Sequence, residues 1–289
     1  VRQGLEPPYQ AALLEINKDW GSPRLWSAMR EASSPLTGNF YLAAVDRKRA
    51  DDGSIENVEP RQQVYVMLFM RTFWLSLVIT FITFVLGFPI AHLLATLPMR
   101  KSNLLMILVL LPFWTSILIR SYAWIQILGG NGLPRLIAEL GLGRPRLINT
   151  PFAVLVGIVY GYLPLMVFPI HVALEKIDRR LLEASADLGS PPWRTFLQIT
   201  LPLSLAGVAT GSMLVFILLM GEFLIPQILG GGKVFFVGNA LVDLFLQSRN
   251  WPFGAAVAAT LVLVMLVTVT IYLRAMKRLS GGRDDVSMM

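Results

Sequence analysis

Five long apolar stretches constrain this chain more than any other feature of its sequence. They cover residues 64–97, 104–128, 151–174, 203–221 and 252–276. Each approaches or exceeds the ~20 residues that a helix needs to cross the hydrocarbon core of a bilayer. The 289-residue chain is 55% hydrophobic and only 15% charged, and a soluble domain cannot bury so much apolar surface. The sequence therefore predicts an all-α polytopic membrane protein with five spans.

The same stretches divide the chain into three parts. Residues 1–61 are polar and hold eight Lys/Arg and nine Asp/Glu. We predict that they form an extracytoplasmic segment. Residues 62–276 are predicted to form the transmembrane domain, and residues 277–289 a cytoplasmic tail.

The Lys and Arg residues between the stretches indicate how the chain is oriented. Ten of them follow the first, third and fifth stretches: Arg100, Lys101, Lys176, Arg179, Arg180, Arg194, Arg274, Lys277, Arg278 and Arg283. The opposite short segments hold five: Arg135, Arg144, Arg146, Lys233 and Arg249. Because basic short loops stay in the cytoplasm, we expect the C-terminus to be cytoplasmic. This pattern is typical of membrane topology, so we do not predict nucleic-acid binding.

Five spans that end inside the cell place residues 1–61 outside it. That segment contains no apolar run that could have exported it. We therefore expect a further N-terminal span upstream of Val1, which would give six spans. The alternative is that the short polar segment crosses the membrane without one.

A cytoplasmic loop at 175–202 has a distinct local pattern. Residues 181–188 predict a short amphipathic helix on which Glu183 and Asp187, four positions apart, share one face. Gly189 suits the position just beyond a helix end, where the backbone needs a positive φ. The pattern predicts that this first helix stops there.

A second short helix is predicted over 192–200. Ser190 is a favourable N-cap residue and Pro191 a favourable first-turn residue. Its apolar side chains are Trp193, Phe196, Leu197 and Ile199. Pro202 marks the start of the next span. Together the two helices would form a helix–turn–helix elbow, for which an interfacial amphipathic loop is the alternative interpretation.

This elbow resembles the signature of binding-protein-dependent ABC importer permeases. The signature reads Glu-Ala-Ala, three residues, Gly, nine residues, Ile-x-Leu-Pro. The chain has the same spacing in Glu183, Ala184, Ser185, Gly189, Ile199, Leu201 and Pro202. Its one departure is Ser185, a small residue in place of another small residue. The resemblance implies the transmembrane domain of a type I ABC importer.

In that family the loop is the coupling helix, which sits in a groove of the ATPase subunit. The resemblance implies acidic contacts and an apolar knob that fills a socket of the partner. The expected coupling residues are Glu183, Ala184, Asp187, Gly189, Trp193, Phe196 and Pro202. The chain has no Gly-x-x-x-x-Gly-Lys-Ser/Thr loop, so ATP and Mg²⁺ are expected on the partner ATPase. The chain itself is expected to be a transport subunit without a cofactor, and not an enzyme.

Further strings resemble the spermidine/putrescine permease branch, among them Leu-Pro-Phe-Trp-Thr-Ser at 111–116 and Gly-Glu-Phe-Leu-Ile-Pro at 221–226. The resemblance implies a polyamine as solute and the bacterial inner membrane as location. It also implies ATP-binding subunits, a second permease subunit that is a different homologue, and an extracytoplasmic solute-binding protein. Relatives with these strings also carry opines and other small charged solutes. A secondary transporter is the alternative from another class.

Two ionisable residues, Arg120 and Glu222, fall within the apolar stretches or near their outer ends. Charges at such depth usually face a cavity, a partner or water. One interpretation is that Glu222 attracts a cationic amine at the outer end of the pathway. The alternative is a structural pair between Arg120 and Glu222, or an interfacial position for each residue. Aromatic side chains that could contact an alkylammonium are Trp114, Tyr122, Trp124, Tyr160 and Tyr162. Of these, Tyr160 and Tyr162 are the favoured pathway residues, with Trp114 as a further candidate.

A metal site is not predicted. His92 and His171 are the only histidines, and neither has a second ligand at a suitable spacing. The chain also contains no cysteine, which excludes thiolate ligands and disulfides.

Overall fold

The computed structural model describes residues 9–23, 25–27, 29, 37–50 and 53–280. Helix dominates this part of the chain, as predicted, and a short hairpin is the exception. The described part of the N-terminal segment, residues 1–61, contains α1 (Tyr9–Ile16), a 3₁₀ turn (Lys18–Gly21), α2 (Asn39–Ala44), β1 (Arg47–Arg49) and β2 (Ile55–Asn57). The two strands pair antiparallel, with Lys48 opposite Glu56.

The helices that follow make up the transmembrane domain and its loops. They are α3 (Tyr65–Thr96), α4 (Met99–Trp114), α5 (Ile117–Leu128), α6 (Leu133–Glu139), α7 (Pro151–Glu175), α8 (Arg179–Asp187), α9 (Pro192–Thr195), α10 (Leu201–Met220), α11 (Leu224–Leu229), α12 (Val237–Val242) and α13 (Trp251–Ser280). Two π-helical turns, Phe196–Thr200 and Asp243–Gln247, join α9 to α10 and follow α12. The predicted tail therefore begins within α13, and residues 281–289 lie outside the described residues.

Four helices in the described part of the chain are long and apolar enough to cross a membrane. They are α3, α7, the continuous helix Pro192–Met220, and α13. Each coincides with a predicted apolar stretch, because only an uninterrupted helix satisfies all backbone polar groups within lipid. These four predictions are confirmed.

The second predicted span, at 104–128, is not one straight helix. The chain bends by 100° between α4 and the helices that follow it. Thr115 and Ser116 are extended at this point, with ψ of 143° and 136°. Pro112 lies within the last turn of α4, and its missing N–H weakens that turn. A bent pair of helices therefore replaces the single helix that the hydropathy pattern predicts.

The core of the domain lies where α7 packs against α3 and α10. Two glycines bring α10 close to α7. A Cβ added at Gly207 would lie 2.4 Å from the Pro169 carbonyl oxygen, and one at Gly211 would lie 3.0 Å from Met166 Sδ. Small residues at a helix interface allow the close backbone approach on which membrane helices depend.

Asp46 attaches the N-terminal segment to this core. Its carboxylate accepts hydrogen bonds from the backbone N–H groups of Val64, Tyr65 and Val66, at 3.1, 3.0 and 2.7 Å. These N–H groups lie at the start of α3, where an acceptor with negative charge is favourable. The hairpin that begins next to Asp46 is thereby fixed to the end of a span.

Candidate functional site

The elbow has a well-defined turn, and Gly189 forms it. Gly189 has a φ of +76° and follows α8. Its N–H donates to the Ala186 carbonyl at 2.8 Å, and the Ser190 N–H donates to the Ser185 carbonyl at 3.1 Å. This pair of bonds is the Schellman arrangement, which satisfies the last carbonyls of a helix. The predicted role of Gly189 as a helix stop is confirmed.

The second helix begins at Pro192 as predicted, but its N-cap residue is Pro191 rather than Ser190, and it does not end where predicted. Pro191 is the N-cap residue and Pro192 the first helical residue. The helix then continues without a break to Met220, so Pro202 lies inside it rather than at a boundary. A π turn at Phe196–Thr200 widens the helix just before Pro202, because a proline has no N–H and its ring crowds the preceding turn. The elbow and the fourth span therefore share one helix.

One face of the elbow is open to a partner. Glu183, Ala184 and Asp187 are exposed on α8, and Trp193 is 67% exposed on α9. Leu188 is 88% exposed at the turn itself, although the sequence reasoning did not single it out. Its signal in the sequence was an apolar residue directly before the turn glycine. These acidic and apolar side chains together offer a surface suited to a protein partner.

Phe196 does not belong to that surface. Its ring meets Phe88 of α3 edge-on at a centroid distance of 5.4 Å and lies 6.1 Å from the His92 ring. It is half-buried and packs against the main core. The expectation that Phe196 fills a socket of the partner is therefore wrong in this structure, because the phase of the helix turns the ring inward. Phe196 instead ties the elbow to α3.

A cavity of 710 Å³ lies between the elbow and the ends of α3, α4 and α7. Glu183 and Glu175 line it together with His92. His171 Nε2 lies 3.4 Å from Glu175 Oε1. Across the described ranges, no group of three or more His, Asp or Glu side chains could hold a metal ion.

Glu222 lies at the break between α10 and α11, and its side chain caps α11. Oε1 accepts hydrogen bonds from the N–H groups of Phe223, Leu224 and Ile225, at 3.0, 2.9 and 3.1 Å. Oε2 accepts a hydrogen bond from the Tyr162 hydroxyl. The residue is only 6% exposed. The carboxylate is therefore buried with a hydrogen bond to each of its oxygens.

Tyr162 fixes the depth of this carboxylate in the molecule. It lies 11 residues from the start of α7 and 13 from its end, which is about 17 and 20 Å at 1.5 Å per residue. Glu222 is therefore held near the middle of a span and not at its outer end. A charge at that depth is retained for a function or for a specific structural purpose.

Arg120 approaches the same cluster without pairing with Glu222. A Cβ added at Gly161, the residue before Tyr162, would lie 3.1 Å from Arg120 Nη1. Arg120 Nη2 donates to the Thr115 carbonyl at 3.1 Å, whereas Nε is buried without a partner. Ion pairs within the described ranges join only Arg135 to Glu139 and His171 to Glu175. The alternative of a direct Arg120–Glu222 pair is therefore wrong in this structure.

The other predicted pathway aromatics lie apart from this cluster. Tyr160 packs edge-on against Trp124 at 5.5 Å and lines an apolar groove of 530 Å³ beside Pro89. Trp114 is 85% exposed at the end of α4. The structure therefore brings together Tyr162, Glu222 and Arg120, and it separates Tyr160 and Trp114 from them.

Asn239 is a polar residue of this region that the sequence reasoning missed. It is 2% exposed. Its Nδ2 donates to the Phe223 carbonyl at 2.9 Å and to Gln227 Oε1 at 3.1 Å, and its Oδ1 accepts from the Phe236 N–H at 3.0 Å. Asn239 thus holds α12 against the segment that Glu222 caps. Its partners are 3 to 16 residues away, so the sequence offers only a polar residue within an apolar run as a signal.

Comparison with known proteins gives consistent relatives. Residues 63–281 match the family described as binding-protein-dependent transport system inner membrane component. The chain is 40% identical to the spermidine/putrescine transport system permease protein PotB of Haemophilus influenzae, over 77% of this chain and 80% of that protein. It is 39% identical to PotB of Escherichia coli, over 75% of this chain and 80% of that protein.

Solved structures give the same fold. A chain of a bacterial ABC transporter for the acidic polysaccharide alginate aligns with a TM-score of 0.61 at 16% identity, covering 93% of this chain and 99% of that one. A chain of the MetNI methionine ABC transporter aligns with a TM-score of 0.59 at 21% identity, covering 76% and 98%. The predicted type I importer fold is confirmed. The chain therefore belongs to the family of binding-protein-dependent transport system inner membrane components.

Proposed function

We propose that this chain is the permease subunit of an ATP-driven importer for a polyamine such as putrescine or spermidine. The observation that carries the importer assignment is the exposed elbow, with its signature spacing and its glycine turn at φ +76°. Identity of 40% to a spermidine/putrescine permease over most of the chain supports the solute. Membership of a binding-protein-dependent family argues against a secondary transporter.

The elbow is the proposed contact with the ATP-binding subunits. Glu183 and Asp187 would pair with basic residues of the ATPase, and Leu188 and Trp193 would enter an apolar socket. ATP and Mg²⁺ would bind the partner, because this chain lacks a phosphate-binding loop. The alternative of a merely interfacial loop is less favourable, because the signature spacing from Glu183 to Pro202 lies within the family match over residues 63–281.

The cluster of Tyr162, Glu222 and Arg120 is the proposed solute contact. Glu222 supplies negative charge halfway along α7, and Tyr162 supplies an aromatic face next to it. Both oxygens of the carboxylate are occupied by its own chain in this state. An ammonium group would therefore be bound only after the α11 cap or the Tyr162 bond opens, which suits a transient contact during passage.

The remaining partners follow from the same assignment. A second permease subunit, proposed to be a different homologue, would complete the pathway, and an extracytoplasmic binding protein would deliver the solute. The chain is a multi-pass protein of the inner membrane. We further propose a cytoplasmic C-terminus, on the basis of the ten-to-five excess of Lys/Arg on that side.

An uptake assay tests the solute directly. The complete transporter in proteoliposomes, supplied with ATP and its cognate binding protein, should accumulate labelled putrescine or spermidine. A panel should include an opine, because Arg120 next to Glu222 offers the two charges that a zwitterion needs. Accumulation of the opine alone would replace the polyamine assignment, and accumulation of neither would contradict both.

A further inference from the structure

Ser185 is the one residue of the elbow that departs from the family signature, and it is also the buried residue of α8. It is 8% exposed, whereas its neighbours on both sides are exposed. Its Oγ lies 2.8 Å from Thr195 Oγ1 on the second helix of the elbow. The departure therefore supplies a hydroxyl that forms a hydrogen bond across the turn.

The backbone alone does not join the two helices of the elbow. The turn bonds of Gly189 and Ser190 return to Ala186 and Ser185, which belong to α8 itself. The first bonds of the second helix, from Arg194 and Thr195, return to Pro191. In the described part of the chain, the hydrogen bond between the Ser185 and Thr195 side chains is the one that links α8 to α9.

Thr195 belongs to a long rigid element. The helix that contains it continues to Met220, 25 residues further on, which is about 38 Å at 1.5 Å per residue. Glu222 lies two residues beyond its end. The hydrogen bond from Ser185 to Thr195 therefore links α8, which carries the coupling surface, to the helix that ends next to Glu222.

We propose that Ser185 and Thr195 form a latch that makes α8 move as one body with the fourth span. The two are positioning residues, and the inference rests on the coupling role proposed above. Without the latch, the angle between α8 and α9 depends on the turn residues Gly189 to Pro191 alone. Motion of the ATPase would then be absorbed partly in the turn and would reach the span with a smaller amplitude.

The expected effect follows from the value of one neutral hydrogen bond. Loss of such a bond shifts the equilibrium between the latched and unlatched elbow by about two- to tenfold. Ser185→Ala removes the bond and restores the residue of the family signature. We expect it to reduce solute transported per ATP hydrolysed by about the same factor, with the ATPase still bound. Ser190→Ala is the matched control, because it removes a hydroxyl from the same turn and leaves the latch intact.

A second variant separates a positioning role from a stability role. Ser185→Ala leaves the Thr195 hydroxyl without its partner, whereas Ser185→Ala combined with Thr195→Val removes both hydroxyls. A role in stability alone predicts that the double variant regains thermal stability and that all variants couple normally. The latch predicts that transport per ATP stays low in the double variant. Normal coupling in both variants would overturn the proposal.

A covalent latch provides the decisive test, because the chain contains no cysteine. The oxygen separation of 2.8 Å shows that the two side-chain ends are in contact, so these are the positions at which to introduce a disulfide across the turn. Ser185→Cys combined with Thr195→Cys should crosslink on oxidation, and the oxidised transporter should retain binding-protein-stimulated ATP hydrolysis and uptake. Loss of both activities on oxidation, with recovery on reduction, would show that the elbow must open. Failure to crosslink would show that the two positions are not held together, and either result would overturn the latch.

These readouts distinguish the latch from the solute assignment. Absence of polyamine uptake by the parent transporter would count against the solute. Binding-protein-stimulated ATP hydrolysis and crosslinking yield do not depend on which solute is carried. The latch is therefore tested by comparing each variant with the parent transporter, whichever solute is carried.

Discussion

Replacement of Glu222 distinguishes a helix cap from a solute contact. In Glu222→Ala, three backbone N–H groups and the Tyr162 hydroxyl lose their acceptor in a site that is 6% exposed. Each buried donor without a partner costs at least ~1 kcal/mol, so the four donors together give a destabilisation of about 4 kcal/mol. Glu222→Gln keeps a carbonyl oxygen for the three N–H groups, but it loses the charge and replaces the acceptor of the Tyr162 hydroxyl with an NH₂ donor. We expect Glu222→Gln to lower the free energy of unfolding by about 1–2 kcal/mol.

The assay is denaturant unfolding of the purified transporter in detergent, followed by intrinsic fluorescence. Glu139→Ala is the control, because Glu139 forms an exposed ion pair with Arg135 that should contribute less than ~1 kcal/mol. An Ala variant of Glu222 no less stable than the Gln variant would refute the capping argument. Polyamine uptake then tests the second role: Glu222→Gln should fold and yet transport less. Unchanged uptake would remove the carboxylate charge from the solute pathway.

Two further substitutions test the elbow and the packing of the spans. Gly189→Val should lower the free energy of unfolding by about 1–2 kcal/mol. The cost comes from the positive φ alone, because a Cβ at this position meets nothing within 4 Å. Uptake should fall in Gly189→Val and be retained in Gly189→Asn, and equal uptake by the two variants would contradict a conformational role. Gly211→Leu should lower the free energy of unfolding by about 1–3 kcal/mol. The reason is overpacking, because a Cβ at position 211 lies 3.0–3.2 Å from Met166. Ala206→Leu on the exposed side of α10 is its control, and equal thermal shifts would contradict close packing of α7 on α10.

Much of the fold was predictable because membrane helices are specified by local sequence. An apolar run of sufficient length must be helical in lipid, so four spans were placed correctly. The turn of the elbow was also local, since a glycine after an amphipathic helix needs no distant partner to adopt its conformation. A kink in the second stretch was predictable from Pro112, but the 100° bend at Thr115 and Ser116 was not, because hydropathy does not specify an angle.

The candidate solute site depends on contacts that the sequence does not record. Glu222 and Tyr162 are 60 residues apart, and only the packing of α7 against α10 brings them together. The inward direction of Phe196 depends on its ring contact with Phe88 of α3, which is distant in the sequence. The roles of Tyr160 and Tyr162 differ because residues two positions apart face opposite sides of a helix. The sequence indicated which aromatic and charged residues could contact a solute. Tertiary packing determines which of them lie together.

Site-directed labelling at Leu188 tests most directly whether the elbow binds an ATPase on the cytoplasmic side of the membrane. The absence of native cysteine makes Leu188→Cys a single reporter at a position that is 88% exposed. Ile55→Cys, exposed on the outer hairpin, is the control. A membrane-impermeant maleimide should label Leu188→Cys in inside-out vesicles from which the ATPase has been removed. Adding the ATPase back should protect Leu188→Cys from labelling. The same reagent should label Ile55→Cys only in intact spheroplasts. Labelling of Leu188→Cys in intact spheroplasts, or no protection by the ATPase, would contradict the account.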